Sequence, residues 1–214
     1  MPIADYLEVY FICGTQDVNE QDTLPEILSK ALDAGITCFQ FREKGPGSLQ
    51  NRDEVKAMAE TCLALCRHAR VPFVMNDDVE MSLEIGAYGM HVGQDDRPIE
   101  ETIQMVDGKM FVGLSVGNVD EFKKAAMIPG LDYVGAGPIY QTSTKVDAKE
   151  PVGLNLLENI SSLHAPLPVV AIGGISVENA QAVHATGVEG LSVISAIAHS
   201  EEIYRTVEKL KKQR

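Results

Sequence analysis

Eight short apolar runs, spread over the whole chain and separated by stretches of helical periodicity, limit what this sequence can fold into more than any other feature. The runs are EVYFIC (8–13), TCFQFRE (37–43), PFVMND (72–77), GMHVGQ (89–94), MFVGLS (110–115), DYVGAG (132–137), PVVAIGG (168–174) and GLSVISA (190–196). Each has the length and apolar character of a buried strand. In TLPEILSKALDAG (23–35), Leu24, Ile27, Leu28, Ala31 and Leu32 share one helical face, and Gly35 is a natural stop. RDEVKAMAETCLALCRHA (52–69) is the longest helical pattern, and VDEFKKAAM (119–127) and SVENAQAVHATG (176–187) are shorter. In SEEIYRTVEKLKKQR (200–214), Ser200 is placed as N-cap, with acids opening the helix and bases closing it.

Strands that alternate with helices run parallel and are joined by right-handed crossovers. Eight such units in 214 residues make an α/β fold, a (β/α)8 TIM barrel, the economical solution. A doubly wound open sheet is the alternative. No Ser/Pro tract or charge block marks a linker, so residues 1–214 read as a single domain.

Charge and cysteine usage narrow the function. Eighteen Lys plus Arg stand against 31 Asp plus Glu, a formal net charge of −13. Nucleic acid and anionic membranes would both need a basic face, so neither is expected as a partner. The opening MPIADYLEVYFICG lacks a basic n-region, and Asp5 and Glu8 break its apolar run, which is no signal peptide. No stretch approaches the roughly 20 apolar residues of a membrane span. Cys13, Cys38, Cys62 and Cys66 complete no zinc pattern and read as buried free thiols in a reducing cytoplasm. A cytoplasmic location is therefore expected. Oligomeric state stays open, and a homo-oligomer is compatible with the sequence.

The polar residues gather at the C-terminal ends of the apolar runs. The second ends Gln40-Phe41-Arg42-Glu43-Lys44, the third Asn76-Asp77-Asp78, and the fourth carries His91 and ends Gly93-Gln94-Asp95-Asp96. The fifth ends at Ser115, and the sixth leads through Gly137-Pro138 to Thr142-Ser143-Thr144-Lys145. The seventh ends Gly173-Gly174, and the eighth Ile194-Ser195. In a barrel all these ends open at one mouth, where active sites lie.

Arg42, Lys44 and Lys145 bring fixed positive charge to that mouth. Strand alternation turns Gln40 and Arg42 to the lumen and Phe39 and Phe41 to the helices. Asp77, Asp78, Asp95 and Asp96 end two consecutive strands, and crowded carboxylates repel unless a cation lies between them. Oxygen ligands favour a hard cation, Mg²⁺ first. Asp78 and Asp95 serve equally well as helix N-caps, and an acid–base pair is the rival role for Asp77 and Asp96. Backbone amides at Gly173-Gly174 and Ile194-Ser195 suit a phosphate, although a tight turn explains the glycines as well. His91 is compatible with either a structural or a catalytic role. His68, His164, His184 and His199 receive none. The whole suits two anionic substrates, a diphosphate and a monophosphate, with Mg²⁺ on one of them.

QFREKG (40–45), NDD (76–78), GMHVGQDD (89–96), GLSV (113–116), DYVGAGPIYQTSTK (132–145), AIGGI (171–175) and VISAI (193–197), in this order, resemble the thiamine phosphate synthase family over nearly the whole chain. That family folds as a (β/α)8 barrel. It joins 4-amino-2-methyl-5-hydroxymethylpyrimidine diphosphate to 4-methyl-5-(2-phosphoethyl)thiazole, or to its carboxylated form, and releases pyrophosphate. The resemblance implies that Asp77 and Asp96 hold Mg²⁺ on the pyrophosphate. It implies that Arg42, Lys44, Asn76, Ser115 and Lys145 bind the diphosphate, with Arg42, Ser115 and Lys145 aiding its departure. Gln40 would face the pyrimidine. Thr142, Thr144, Gly174, Ile194 and Ser195 would hold the thiazole phosphate. The implied chemistry is dissociative, through a pyrimidinylmethyl cation captured by the thiazole nitrogen.

The fifth strand is followed by Gly117-Asn118, where many relatives carry a histidine directly after Ser-Val. A sister family of thiazole tautomerases uses a histidine near that point, so its absence disfavours a tautomerase. The intact set Arg42, Lys44, Asp77, Asp96 and Lys145 disfavours a silent phosphate-binding barrel. Segment 138–151, rich in Thr, Ser and Lys at its start, has the character of a lid.

Overall fold

A computed structural model describes residues 2–142 and 150–212 of the chain. Eight strands form a closed barrel in sequence order. They are β1 (Val9–Cys13), β2 (Cys38–Phe41), β3 (Phe73–Asn76), β4 (Gly89–Val92), β5 (Phe111–Val116), β6 (Tyr133–Ala136), β7 (Val169–Ile172) and β8 (Gly190–Val193). Every neighbouring pair is parallel, and β8 returns to β1 through the register Val9↔Leu191 to Phe11↔Val193. The alternative of an open sheet is therefore excluded.

The outer layer comprises α1 (Leu24–Ala34), α2 (Arg52–Ala69), α3 (Val79–Ile85), α4 (Ile99–Val106), α5 (Val119–Ala125), α6 (Leu154–Ser162) and α7 (Ala180–His184), then the short α8 (Ser195–Ala198) and α9 (Ile203–Leu210). Local chemistry sets their ends. Glu26 accepts a hydrogen bond from Thr23 N–H at the start of α1, and Gly35, at φ 91°, ends it. Asn51 Oδ1 accepts from the N–H groups of Asp53 and Glu54 and so caps α2. Asp78 accepts from Met81 N–H and caps α3, as its N-cap reading expects.

Several boundaries differ from the sequence reading. Asp95 does not cap α4, which begins later, behind Pro98. Ser200 is not the N-cap of α9, which starts at Ile203 after Glu202; the Ser200 hydroxyl instead accepts from Glu202 N–H in the preceding turn. The 176–187 pattern yields a helix only over Ala180–His184, because Asn179 Oδ1 takes Ser176 N–H and holds the first residues in a turn. The patterns singled out above include none of α3, α4, α6 and α8. These helices have at most nine residues, too few for periodicity to stand out from a turn.

Two apolar layers hold the barrel. Between strands and helices lie Val9, Phe11, Phe39, Phe41 and Phe73 with the buried faces of the helices, including Leu28, Ala31, Cys62 and Cys66. Inside the barrel lie Tyr10, Ile12, Cys38, Val74, Tyr133 and Val170. Phe39 and Phe41 thus face the helices and Gln40 the lumen, as the alternation of QFR requires. All four cysteines are buried and free. Among the described residues no helix is long and apolar enough to cross a membrane.

Candidate active site

A cavity of about 520 Å³ opens at the C-terminal ends of the strands. It has two polar ends. Lys44, Asp96 and Ser115 line one side, and Thr142, Gly174, Ile194 and Ser195 line the other. These residues come from loops or strand ends after β2, β4, β5, β6, β7 and β8. Closure of the barrel is what brings them together.

On the first side, Lys44 Nζ lies 2.7 Å from Asp77 Oδ2 and 3.3 Å from Asp96 Oδ1. One ammonium thus bridges the two carboxylates. Asp77 follows β3 in the left-handed region at φ 62°, its N–H donating to the His91 carbonyl across the β3–β4 edge. An aspartate tolerates this backbone better than most residues, and such strain concentrates at functional sites. Asp96 Oδ2 accepts from Gly93 N–H at 2.9 Å, which folds its loop back over β4.

Burial pushes the Asp77 carboxyl above its usual range, against the pull of Lys44. Burial also acts on Asp96, but its bonds to Asp77, Gly93 N–H and Lys44 prevail and hold its carboxyl below the usual range. Burial alone would lower the Lys44 ammonium, but Asp77 and Asp96 outweigh it and raise its pKa.

The loop carrying Lys44 is fixed by its neighbour. The Glu43 carboxylate accepts from Thr15 N–H at 3.0 Å, from the Thr15 hydroxyl and from Leu49 N–H at 2.7 Å. It ties the segment after β2 to the segment after β1. Arg42 is buried, and its charge partly offsets the rise that burial gives Asp17. Gln40 is buried deeper still in the lumen, where its amide donates to Tyr10. Asn76 ends β3 opposite His91.

On the second side, Gly173 and Gly174 have φ 99° and 63°, and a side chain on Gly174 would collide with the backbone of Gln141 and Tyr140. The turn therefore needs glycine for conformation and for close approach. The helix α7 does not follow it directly, as the sequence reading expected. Helix α8 begins directly behind β8, and its first residue, Ser195, lines the cavity. Thr144 and Lys145 lie outside the described residues, as does half of the proposed lid segment, residues 143–149.

Two oxygen-donor carboxylates that already converge on one cation suit Mg²⁺, which takes few protein carboxylates and completes its shell with water and substrate phosphates. Among the described residues no group of three or more His, Cys, Asp and Glu side chains gathers to hold a metal by itself. Two carboxylates would leave the rest of such a shell to water and to a phosphorylated substrate.

Comparison with known proteins decides the family. The family model described as thiamine monophosphate synthase matches residues 9–197. The chain belongs to the thiamine monophosphate synthase family. It is 50% identical over 205 residues to the thiamine-phosphate synthase of Listeria monocytogenes serotype 4b (strain F2365), covering 96% of this chain and 95% of the relative. It is 49% identical over 203 residues to that of Staphylococcus carnosus, covering 95% and 94%. Among solved structures, thiamine phosphate pyrophosphorylase from Pyrococcus furiosus superposes with a TM-score of 0.83 at 31% identity, covering 97% of this chain and 95% of that one. Family membership makes the protein an enzyme, a transferase of thiamine biosynthesis.

Some residues at this synthase-family site received no role from the sequence. Gln94 Nε2 donates to the Ser115 carbonyl at 2.7 Å. Glu121 lines the cavity and accepts from Gly117 N–H at 2.6 Å. Tyr10 and Tyr133 stand inside the barrel in contact with Gln40 and His91. Alternation along β1 was a usable signal for Tyr10, since Phe11 and Cys13 point to the helices.

Proposed function

We propose that this enzyme joins 4-amino-2-methyl-5-hydroxymethylpyrimidine diphosphate to 4-methyl-5-(2-phosphoethyl)thiazole, forming thiamine phosphate and pyrophosphate. The observation that carries the reading is the two-ended cavity: a Lys-bridged carboxylate pair with Ser115 on one side, a Gly–Gly turn with Thr142 and Ser195 on the other. One end suits a metal-bound diphosphate and the other a monophosphate ester.

In the proposed reaction the bond between the pyrimidinylmethyl carbon and the diphosphate oxygen breaks, and its electron pair leaves with pyrophosphate. The thiazole nitrogen then gives its lone pair to that carbon and forms the new C–N bond. Arg42, Lys44, Asn76, Ser115 and Lys145 meet the charge that grows on the leaving group. Gln40 orients the pyrimidine. Thr142, Thr144, Gly174, Ile194 and Ser195 grip the thiazole phosphate and hold its ring nitrogen towards the reacting carbon. Asp77 and Asp96 would hold Mg²⁺. When bound, the ion supplies charge neutralisation to the diphosphate oxygens. Charge stabilisation and juxtaposition suffice for this chemistry, with no nucleophilic side chain in the scheme.

The test is pyrophosphate release by the purified protein, given both substrates, with Mg²⁺ and then with EDTA. Release that needs both substrates and the metal is the expected outcome. No release in any mixture, with isomerisation of a thiazole carboxylate phosphate instead, would replace the reading with a tautomerase.

A further inference from the structure

Five side chains from five strands form one hydrogen-bonded chain across the barrel lumen. Gln40 Nε2 on β2 donates to the Tyr10 hydroxyl on β1 at 2.8 Å. The Tyr10 hydroxyl lies 2.9 Å from that of Tyr133 on β6. The Tyr133 hydroxyl lies 2.9 Å from His91 Nδ1 on β4. His91 Nε2 lies 3.0 Å from Ser115 Oγ on β5. The chain begins in the closed interior, where Gln40 is 1% exposed, and ends at Ser115 on the cavity wall.

Its first member favours one direction for the others. An amide NH₂ only donates, so the Tyr10 oxygen accepts from Gln40 and keeps its own O–H to give, with the Tyr133 hydroxyl 2.9 Å away as its acceptor in this direction. The Tyr133 proton then points at His91 Nδ1. A neutral imidazole that accepts at Nδ1 carries its proton on Nε2, and that proton goes to Ser115 Oγ. Ser115 is left with its own O–H to give. We propose that Tyr10, Tyr133 and His91 are positioning residues that hold Ser115 as a hydrogen-bond donor towards the departing diphosphate. The proposal rests on the reading of Ser115 as a diphosphate contact. Were the chain to run the other way, Ser115 would spend its proton on His91 and offer lone pairs to an anion.

The surroundings support a built device. Burial, followed by the neighbouring phenol and the Cys38 thiol, pushes the Tyr10 hydroxyl well above its usual range. Burial does the same for Tyr133. Both therefore remain donors at neutral pH. Gly113 on β5 leaves the room they need: any side chain there would collide with the Tyr133 ring and the His91 imidazole. A barrel interior is ordinarily filled by branched apolar side chains, which carry no buried polar groups to satisfy. A five-member polar chain in that place adds nothing to the fold that apolar packing would not supply.

The experiment reads the His91 tautomer by ¹⁵N NMR in the wild-type protein, assigned by comparison with His91→Gln. A proton on Nε2 is expected, and a proton on Nδ1 overturns the proposal. Tyr133→Phe keeps the ring packed edge-on against Phe111 and removes the donor to Nδ1. In that variant His91 is expected to lose its single tautomer, and kcat to fall about tenfold with KM for the thiazole phosphate unchanged. Tyr10→Phe leaves Tyr133 able to donate to His91 and is expected to cost less. A Tyr133→Phe variant with the wild-type tautomer and kcat would overturn the proposal. Absence of pyrophosphate release from wild-type protein would instead overturn the reading of the site, because the tautomer measurement needs no turnover.

Discussion

Lys44 Nζ stands 2.7 Å from Asp77 Oδ2, one of the two carboxylates proposed to hold Mg²⁺. The same ammonium reaches Asp96 at 3.3 Å, so a lysine and a divalent cation would compete for one pair of carboxylates. Lys44→Ala removes the competitor. We expect this variant to bind Mn²⁺ several-fold more tightly without substrate, read by electron paramagnetic resonance, because the carboxylates then lack a counter-charge. Pyrophosphate release should fall at least about tenfold, since a positive charge on the leaving group is lost. Stability should change by less than about 1 kcal/mol, because the ion pair is partly exposed. Unchanged Mn²⁺ affinity would separate Lys44 from the metal site.

Asp96→Asn tests the carboxylate itself. Asparagine keeps an oxygen to accept from Gly93 N–H, so the loop should hold its shape. Loss of the anionic ligand should lower turnover on the order of 100-fold and raise the Mg²⁺ concentration needed for half-maximal rate. Wild-type Mg²⁺ dependence in this variant would remove Asp96 from the proposed ligand pair.

The cysteines make a pH prediction of definite sign. Burial pushes the Cys62 thiol up to about 12, and Cys13, Cys38 and Cys66 are raised as well. Only the thiolate reacts with disulfide reagents. At pH 8 a thiol of that pKa is about one part in 10⁴ ionised. Native protein should therefore resist labelling by a chromogenic disulfide at pH 8, and all four thiols should react once it is unfolded. Rapid labelling of the native protein would contradict the burial of these groups.

Phe39 tests the outer core. Its ring packs against Phe11 at 5.7 Å and Phe73 at 6.0 Å between centroids, with no exposure to solvent. Phe39→Ala should cost about 3–5 kcal/mol in denaturant unfolding, the usual cost of an aromatic cavity. Phe39→Leu should cost distinctly less. Equal costs would mean that the surrounding side chains collapse into the space.

Much of the site was legible because strand ends converge by topology. Lys44, Asp96, Ser115, Gly174, Ile194 and Ser195 were placed at the mouth from their positions alone, and all line one cavity. The orientation of Gln40 followed from the two-residue period of a strand. The lumen network was not legible. Tyr10 and Tyr133 are 123 residues apart, and His91 and Tyr133 are 42 apart, so no local pattern links them. The first run drew no assignment beyond strand character, although Tyr10 joins Gln40 to the rest of that network.

The sequence by itself determined the number of strands, the inner and outer faces of β2 and the supply of charge at the strand ends. Those properties are local: they depend on the period of a strand, the period of a helix and the preferences of caps and turns. Only the tertiary structure decided that β8 closes on β1, that one lysine bridges Asp77 and Asp96, and that Gln40 reaches Ser115 through two tyrosines and a histidine. Those contacts depend on strand stagger and barrel closure, which set distances between side chains that the chain itself keeps far apart.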